Sequence, residues 1–278
     1  MKSGKSYPAR TPGGSPLLQG TLGLLLVGLL SSCGSGSKKA ASSDASGSAE
    51  MILAAKTFKH PAAEAYYASN SDFFRSADPT EIPADLQWVD GMDQESFSST
   101  NAKRGGTETV WIQDFPRTLR YLGPDANGSF RRYINDNLNL KVVHKHPETG
   151  RYYPGLAREW AIAPNNLTVY LKLDPEARYT DGVAVTADDY YFLFYFMRSP
   201  WLQGPWYLNW YTSKYTHITR YDDHTIAIGL SEAKPDCLRF FEQDIRPVPR
   251  HFYKDFRESY VQDYQWKLEP GTGAYTIL

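Results

Sequence analysis

Leu167-Thr168-Val169-Tyr170-Leu171-Lys172-Leu173, followed by Ala177-Arg178-Tyr179-Thr180-Asp181-Gly182-Val183-Ala184-Val185-Thr186-Ala187-Asp188-Asp189, decides the fold class of this chain. In the first piece Leu167, Val169, Leu171 and Leu173 alternate with Thr168, Tyr170 and Lys172, which predicts a strand with one buried side. Asp181-Gly182 suits a tight turn, because glycine adopts backbone shapes that other residues resist. Thr186 then marks a helix start: it can cap the helix, Asp189 can reach back as in a capping box, and Asp188 favours the positive helix end. The aromatic run Tyr190 to Met197 forms the body of that helix, and Pro200 ends it. Working outward, Thr225 to Leu230 predicts a second strand after a turn of Asp222 and Asp223. Upstream, Thr107 to Gln113 alternates with Val110 and Ile112 on one face and reads as a strand. Phe130, Tyr133, Ile134 and Leu138 fall at helical spacing, so a helix is expected from Phe130 to Leu140. Residues 51–105 read as an irregular lead-in with a short helix around Glu64 to Phe74. Strands and helices mix without regular alternation, which predicts an α/β fold with mixed sheets and not a doubly wound parallel one.

Composition narrows the function classes. At 278 residues with 41% hydrophobic and 22% charged, the chain can build a sizeable core. A mean hydropathy of -0.50 excludes a polytopic membrane protein. The formal net charge of -1 offers no concentrated basic face, so no nucleic-acid partner is expected. The 20 Tyr and 7 Trp suit surfaces that are apolar yet able to hydrogen-bond, as ligand clefts often are, although large cores store aromatics too.

The first residues read as an address. Lys2, Lys5 and Arg10 precede an apolar run from Leu22 to Leu30, too short to span a membrane, in the build of a secretory signal over residues 1–32. Leu30-Ser31-Ser32-Cys33 resembles a bacterial lipobox. That resemblance implies cleavage before Cys33, lipidation of Cys33 and durable anchoring to the bacterial cell membrane. A plain signal peptide with a chance cysteine is the other reading. Cleavage removes Lys2, Lys5 and Arg10 and takes the formal net charge from -1 to -4. With Cys33 lipidated, Cys237 has no intrachain partner. Residues 33–50, rich in Gly, Ser and Ala, have the composition of a flexible tether.

Tyr153-Pro154-Gly155-Leu156-Ala157-Arg158-Glu159-Trp160, then the strand, then Tyr179-Thr180-Asp181-Gly182 with Thr186-Ala187-Asp188-Asp189, resembles in order and spacing the family 5 extracellular solute-binding proteins of ABC importers. Asp222 with Thr225-Ile226-Ala227-Ile228, Pro270-Gly271-Thr272-Gly273-Ala274-Tyr275 and Lys103-Arg104-Gly105-Gly106-Thr107 are similar to further segments of that family. Ala274 stands where the family has proline. The resemblance implies a type II periplasmic-binding-protein-like fold, with residues 106–278 as its N-terminal lobe. Members continue well past the Gly271-Thr272-Gly273 segment into a second, C-terminal lobe, which is missing here. A truncated reading frame or a reduced relative would each account for that. The resemblance also implies an oligopeptide ligand, delivery to ABC permease subunits, a monomer, and a domain in the periplasm or on the outer cell surface. Nickel, haem and sugar ligands stay open. A rival from another class is a non-transporting envelope lipoprotein that retains half of the fold as a sensor input or interaction partner.

Candidate site residues follow from two stretches. Trp206, Tyr207, Trp210 and Tyr211 lie in an aromatic segment after the capped helix, which either walls a cleft or packs against the lobe. Gln113, Asp114 and Phe115 end the first expected strand, where the resemblance places the family's cleft. His144 and His146 are two apart and could share a strand face, but no completing ligand set is evident and Glu148-Thr149-Gly150 suggests an exposed hairpin. Gly271-Thr272-Gly273 lacks the residues of a phosphate loop or dinucleotide turn, and neither a serine-hydrolase elbow nor a zinc-protease motif occurs. No cofactor, metal or catalytic residue is therefore expected.

Overall fold

A computed structural model describes residues 41–277 except 100, 104 and 134. The signal segment and Cys33 lie outside the described residues. The two strands of the deciding stretch and its sequel, β5 (Thr168–Leu173) and β7 (Thr225–Leu230), pair antiparallel at the centre of a five-stranded sheet. β4 (Ala157–Ile162) flanks β5, β6 (Tyr215–Arg220) flanks β7, and β1 (Phe74–Ser76) closes the far edge in a parallel pairing. The order β1-β6-β7-β5-β4 is the mixed sheet that the irregular alternation predicts. A separate hairpin of β2 (Val143–Lys145) and β3 (Tyr152–Pro154) precedes β4. Among the described residues no helix is long and apolar enough to cross a membrane.

Alternation places Val169, Leu171, Ile226 and Ile228 on one sheet face, all fully buried. α4 (Ala187–Arg198) packs on that face and begins where Thr186 predicts. The Thr186 backbone N–H donates to the Asp189 carboxylate at 2.9 Å, the reciprocal half of a capping box. Tyr190 through Met197 are all buried. A helix that is apolar all round needs cover on every side. α2 (Pro61–Ser69) supplies part of that cover, and an aromatic group of Tyr253, Phe256, Tyr260 and Tyr264 around α7 (Tyr260–Asp263) supplies more.

The opposite sheet face was expected to be open, and it is not. Tyr170 and Ala227 are buried there under Leu86, with Ile82 and Trp88 beside them. The lead-in therefore belongs to the sheet domain. β1 protects one sheet edge, and at the other edge Val89 exchanges backbone hydrogen bonds with Trp160 of β4 at 2.8 and 2.9 Å. Local alternation could not reveal this cover, because it comes from about eighty residues upstream.

Three other expectations change. Thr107 to Gln113 forms no strand: no partner edge meets it, and Val110 and Trp111 are exposed. The helix expected from Phe130 to Leu140 shortens to α3 (Ser129–Tyr133) and a single turn at Asn135–Asn137, since asparagine side chains compete for backbone hydrogen bonds. Residues 41–50, read as tether, lie in α1 (Ala41–Thr57), whose later half, Ala49-Glu50-Met51-Ile52-Leu53-Ala54-Ala55-Lys56, is rich in strong helix formers. The short helix near Glu64 stops at Ser69, and Phe74 already belongs to β1.

Gly271 and Gly273 pass close to the backbone of Leu138. Gly273 N–H donates to the Leu138 carbonyl at 2.9 Å, and Thr180 N–H donates to the Gly271 carbonyl at 2.8 Å. A Cβ on Gly271 would lie 2.3 Å from the Leu138 carbonyl oxygen. Gly271→Ala is expected to lower unfolding free energy by about 1–3 kcal/mol, whereas Gly128→Ala, with open space around its Cβ, leaves the urea midpoint unmoved. Equal midpoints for the two variants would refute the close crossing.

Candidate functional site

The Asp114-Phe115 stretch does form a wall, without the strand that was expected to end there. A groove of about 600 Å³ is lined by Asp114, Phe115, Arg117, Asp125, Asn127 and Ser129 among others. Asp114 accepts a hydrogen bond from Ser129 Oγ at 3.2 Å, and Arg117 stands 3.5 Å from Asp125 across the groove. Both pairs face water, so the hydrogen bond and the ion pair are each weak and exchangeable for a ligand. Phe115 is 87% exposed, a large apolar face with no protein partner to cover it. Gln113 is exposed beside it but does not line the groove.

Arg131 of α3 connects this groove to the second predicted stretch. Its guanidinium donates to Asn127 Oδ1 at 3.0 Å and to the Tyr207 hydroxyl at 2.8 Å. Tyr207 lies on α5 (Pro205–Ser213), which starts with proline at a position where no backbone donor is lost. The segment read as irregular is thus helical, and the helix spacing brings residues 206 and 210 together. Trp206 and Trp210 stack with ring centroids 5.3 Å apart at 12°, and Trp206 remains 59% exposed. The stack presents a flat apolar face to solvent.

Tyr211 leaves the set. It is 3% exposed, packs on Phe194 and Tyr215, and donates its hydroxyl to the Asp244 carbonyl at 2.6 Å. One position further along a helix turns a side chain by about 100°, which carries Tyr211 from the exposed side into the core. The structure therefore joins Asp114, Phe115, Trp206, Tyr207 and Trp210 along one surface path and excludes Tyr211 from it.

Three participants escaped the sequence: Asn127, Arg131 and Asp244. Asp244, last residue of α6 (Leu238–Asp244), accepts from Trp210 Nε1 at 2.7 Å and from the Tyr215 hydroxyl at 2.9 Å through the same oxygen. Burial pushes its carboxyl above the ordinary range, against the opposing pull of those two hydrogen bonds. No local signal marks such a residue, because its partners lie 34 and 29 positions away.

Of the histidine pair, His146 has both ring nitrogens engaged locally. His144 and Lys145 sit on β2, and His146 Nδ1 accepts from the N–H groups of Glu148 and Thr149, closing the hairpin turn as expected. His146 Nε2 lies 3.0 Å from the Glu95 carbonyl oxygen. Among the described residues no group of three or more His, Cys, Asp or Glu is placed to hold a metal ion.

Residues 151–278 match the model of bacterial extracellular solute-binding proteins, family 5 middle segment. The periplasmic oligopeptide-binding protein OppA of Salmonella typhimurium is 24% identical over 208 residues, covering 67% of this chain and 34% of OppA. Among solved structures, Haemophilus influenzae OppA in complex with the peptide RPPGFSPFR is 19% identical with a TM-score of 0.47, covering 58% of this chain and 33% of that one. The Escherichia coli murein tripeptide binding protein MppA is 22% identical with a TM-score of 0.47, covering 60% and 34%. The chain thus spans about a third of the length of the curated relative it matches. Over residues 151–278, which take in the hairpin strand β3 and all that follows it, the chain is similar to the family 5 bacterial extracellular solute-binding proteins.

Proposed function

We propose that this protein captures oligopeptides for an ABC importer, with the path from Asp114 through Arg131 to the Trp206–Trp210 stack as its contribution to the ligand site. The family match over residues 151–278 carries the reading. Two features of the path suit a peptide. Exposed carboxylates and amides at Asp114, Asp125 and Asn127 offer partners for main-chain groups, and Phe115 and Trp206 offer apolar faces for side chains. Capture in this reading begins with contacts to this path, which hold the peptide by themselves, and is tightened by closure against a second lobe that the ligand also touches. The closed form is then what the permease subunits recognise.

In the same reading residues 1–32 are removed on export, Cys33 carries the lipid, and the domain works outside the cell membrane as a monomer. Labelling cells with radioactive palmitate tests the anchor. The wild-type chain is expected to take up label and partition with membranes, and Cys33→Ser to lose both; label of equal strength in Cys33→Ser would sink the anchor. For the ligand, the purified chain is incubated with a mixed library of tri- to pentapeptides, and retained species are identified by mass spectrometry. Retained peptides that Trp206→Ala no longer holds support the reading, and no retained peptide overturns it.

A further inference from the structure

We infer that Asp244 is a positioning residue that presets the Trp206–Trp210 stack for peptides bearing aromatic side chains, an inference that rests on the peptide-capture reading above. Asp244 is locally out of place. It ends α6, where the negative end of the helix dipole disfavours a carboxylate, and it is half-buried. A disfavoured residue whose partners lie on other elements is held there by what it touches. Its Oδ2 accepts from Trp210 Nε1 and Tyr215 Oη, and its carbonyl accepts from Tyr211 Oη, so three aromatic side chains from α5 and β6 converge on one residue.

The consequence runs outward through Trp210. With its N–H held at 2.7 Å, the indole has one orientation, and the near-parallel contact with Trp206 passes that orientation to the exposed ring. Tyr207 packs edge to face against Trp206 at 5.1 Å, while its own hydroxyl accepts from Arg131. An indole already fixed in its binding orientation loses little freedom when an aromatic ligand group stacks on it, whereas a free indole must be ordered at that moment. The preference should therefore fall on ligands that use the stack and spare those that do not.

The experiment compares binding of Ala-Phe-Phe-Ala and tetra-alanine to the full chain by calorimetry, in the wild type, Trp206→Ala, Asp244→Ala and Asp244→Asn. Asp244→Ala is expected to weaken Ala-Phe-Phe-Ala roughly three- to tenfold and leave tetra-alanine unchanged. Asp244→Asn keeps an oxygen acceptor for the indole and is expected to restore most of the loss. Tryptophan emission should shift to the red in Asp244→Ala and stay near the wild type in Asp244→Asn. A wild-type chain that binds neither peptide refutes the capture reading itself. Binding that Trp206→Ala leaves intact refutes the stack as a contact. A loss in Trp206→Ala without one in Asp244→Ala, or equal losses for both peptides in Asp244→Ala, overturns the positioning role.

Discussion

Arg250→Met is expected to lower unfolding free energy by about 3–5 kcal/mol, because it strands a buried carboxylate. Arg250 is 5% exposed and donates from Nη1 to Asp189 Oδ1 at 2.7 Å and to Thr186 Oγ1 at 3.2 Å. Its Nε donates to the Phe58 carbonyl at 2.9 Å, and its Nη2 to the Lys56 carbonyl at the end of α1. One side chain thus ties the N-terminal helix to the first turn of α4. Without it the fully buried Asp189 carboxyl is left with the Thr186 N–H and hydroxyl as its partners and no opposite charge beside it. Adding Asp189→Asn removes that charge while leaving an acceptor for the cap, so the double variant should be more stable than Arg250→Met alone. Urea unfolding decides the matter: a single variant that melts with the wild type, or a double variant that is worse, contradicts this account.

The same cluster sets a pH dependence. Burial pushes the Asp188 carboxyl up, but the hydrogen bond from Lys59 and the charges of Arg250 and Arg220 outweigh it and hold the carboxyl below its ordinary range. A carboxyl depressed in the folded state contributes stability at pH values above its ordinary pKa and loses it as pH falls through the folded value. Wild-type stability should therefore decline below about pH 4, and the decline should be shallower in Asp188→Asn.

Phe196→Ala should be as damaging, again by about 3–5 kcal/mol, through a different physical cause. Phe196 is 1% exposed and touches Tyr253, Phe256 and Tyr260 with ring centroids 4.8, 4.6 and 5.4 Å away. The neighbours are themselves wedged rings that cannot collapse into the space, so lost contact and cavity add. Phe196→Leu retains most of the volume and should recover more than half of the loss. A midpoint for Phe196→Ala within error of wild type would mean that the aromatic layer over α4 is not packed as described.

Much of the fold was legible locally. The alternation of β5 and β7, the Asp181-Gly182 turn and the Thr186 cap are each written within a few residues, so alternation and capping chemistry report them directly. The strand expected at Thr107 to Gln113 fails for the complementary reason: a strand exists only where a partner edge accepts it, and alternation says nothing about partners. Half of the site was legible in the same sense. Aromatic excess marks Trp206, Tyr207 and Trp210, and acidic and apolar character marks Asp114 and Phe115, yet no pattern could separate half-buried Trp210 from buried Tyr211 before the helix phase was known.

The sequence by itself determined the mixed α/β class, the capped aromatic helix and the tight turn at Asp181-Gly182. Each rests on short-range steric and hydrogen-bonding rules that a local stretch must satisfy on its own. Only the tertiary structure decided that the lead-in guards both edges of the sheet, that Arg131 joins the groove to the tryptophan stack, and that Asp244 holds the stack in place. Those contacts join residues 34 to 144 positions apart, and such distances along the chain are closed by burial of apolar surface across the whole domain, which no single stretch encodes.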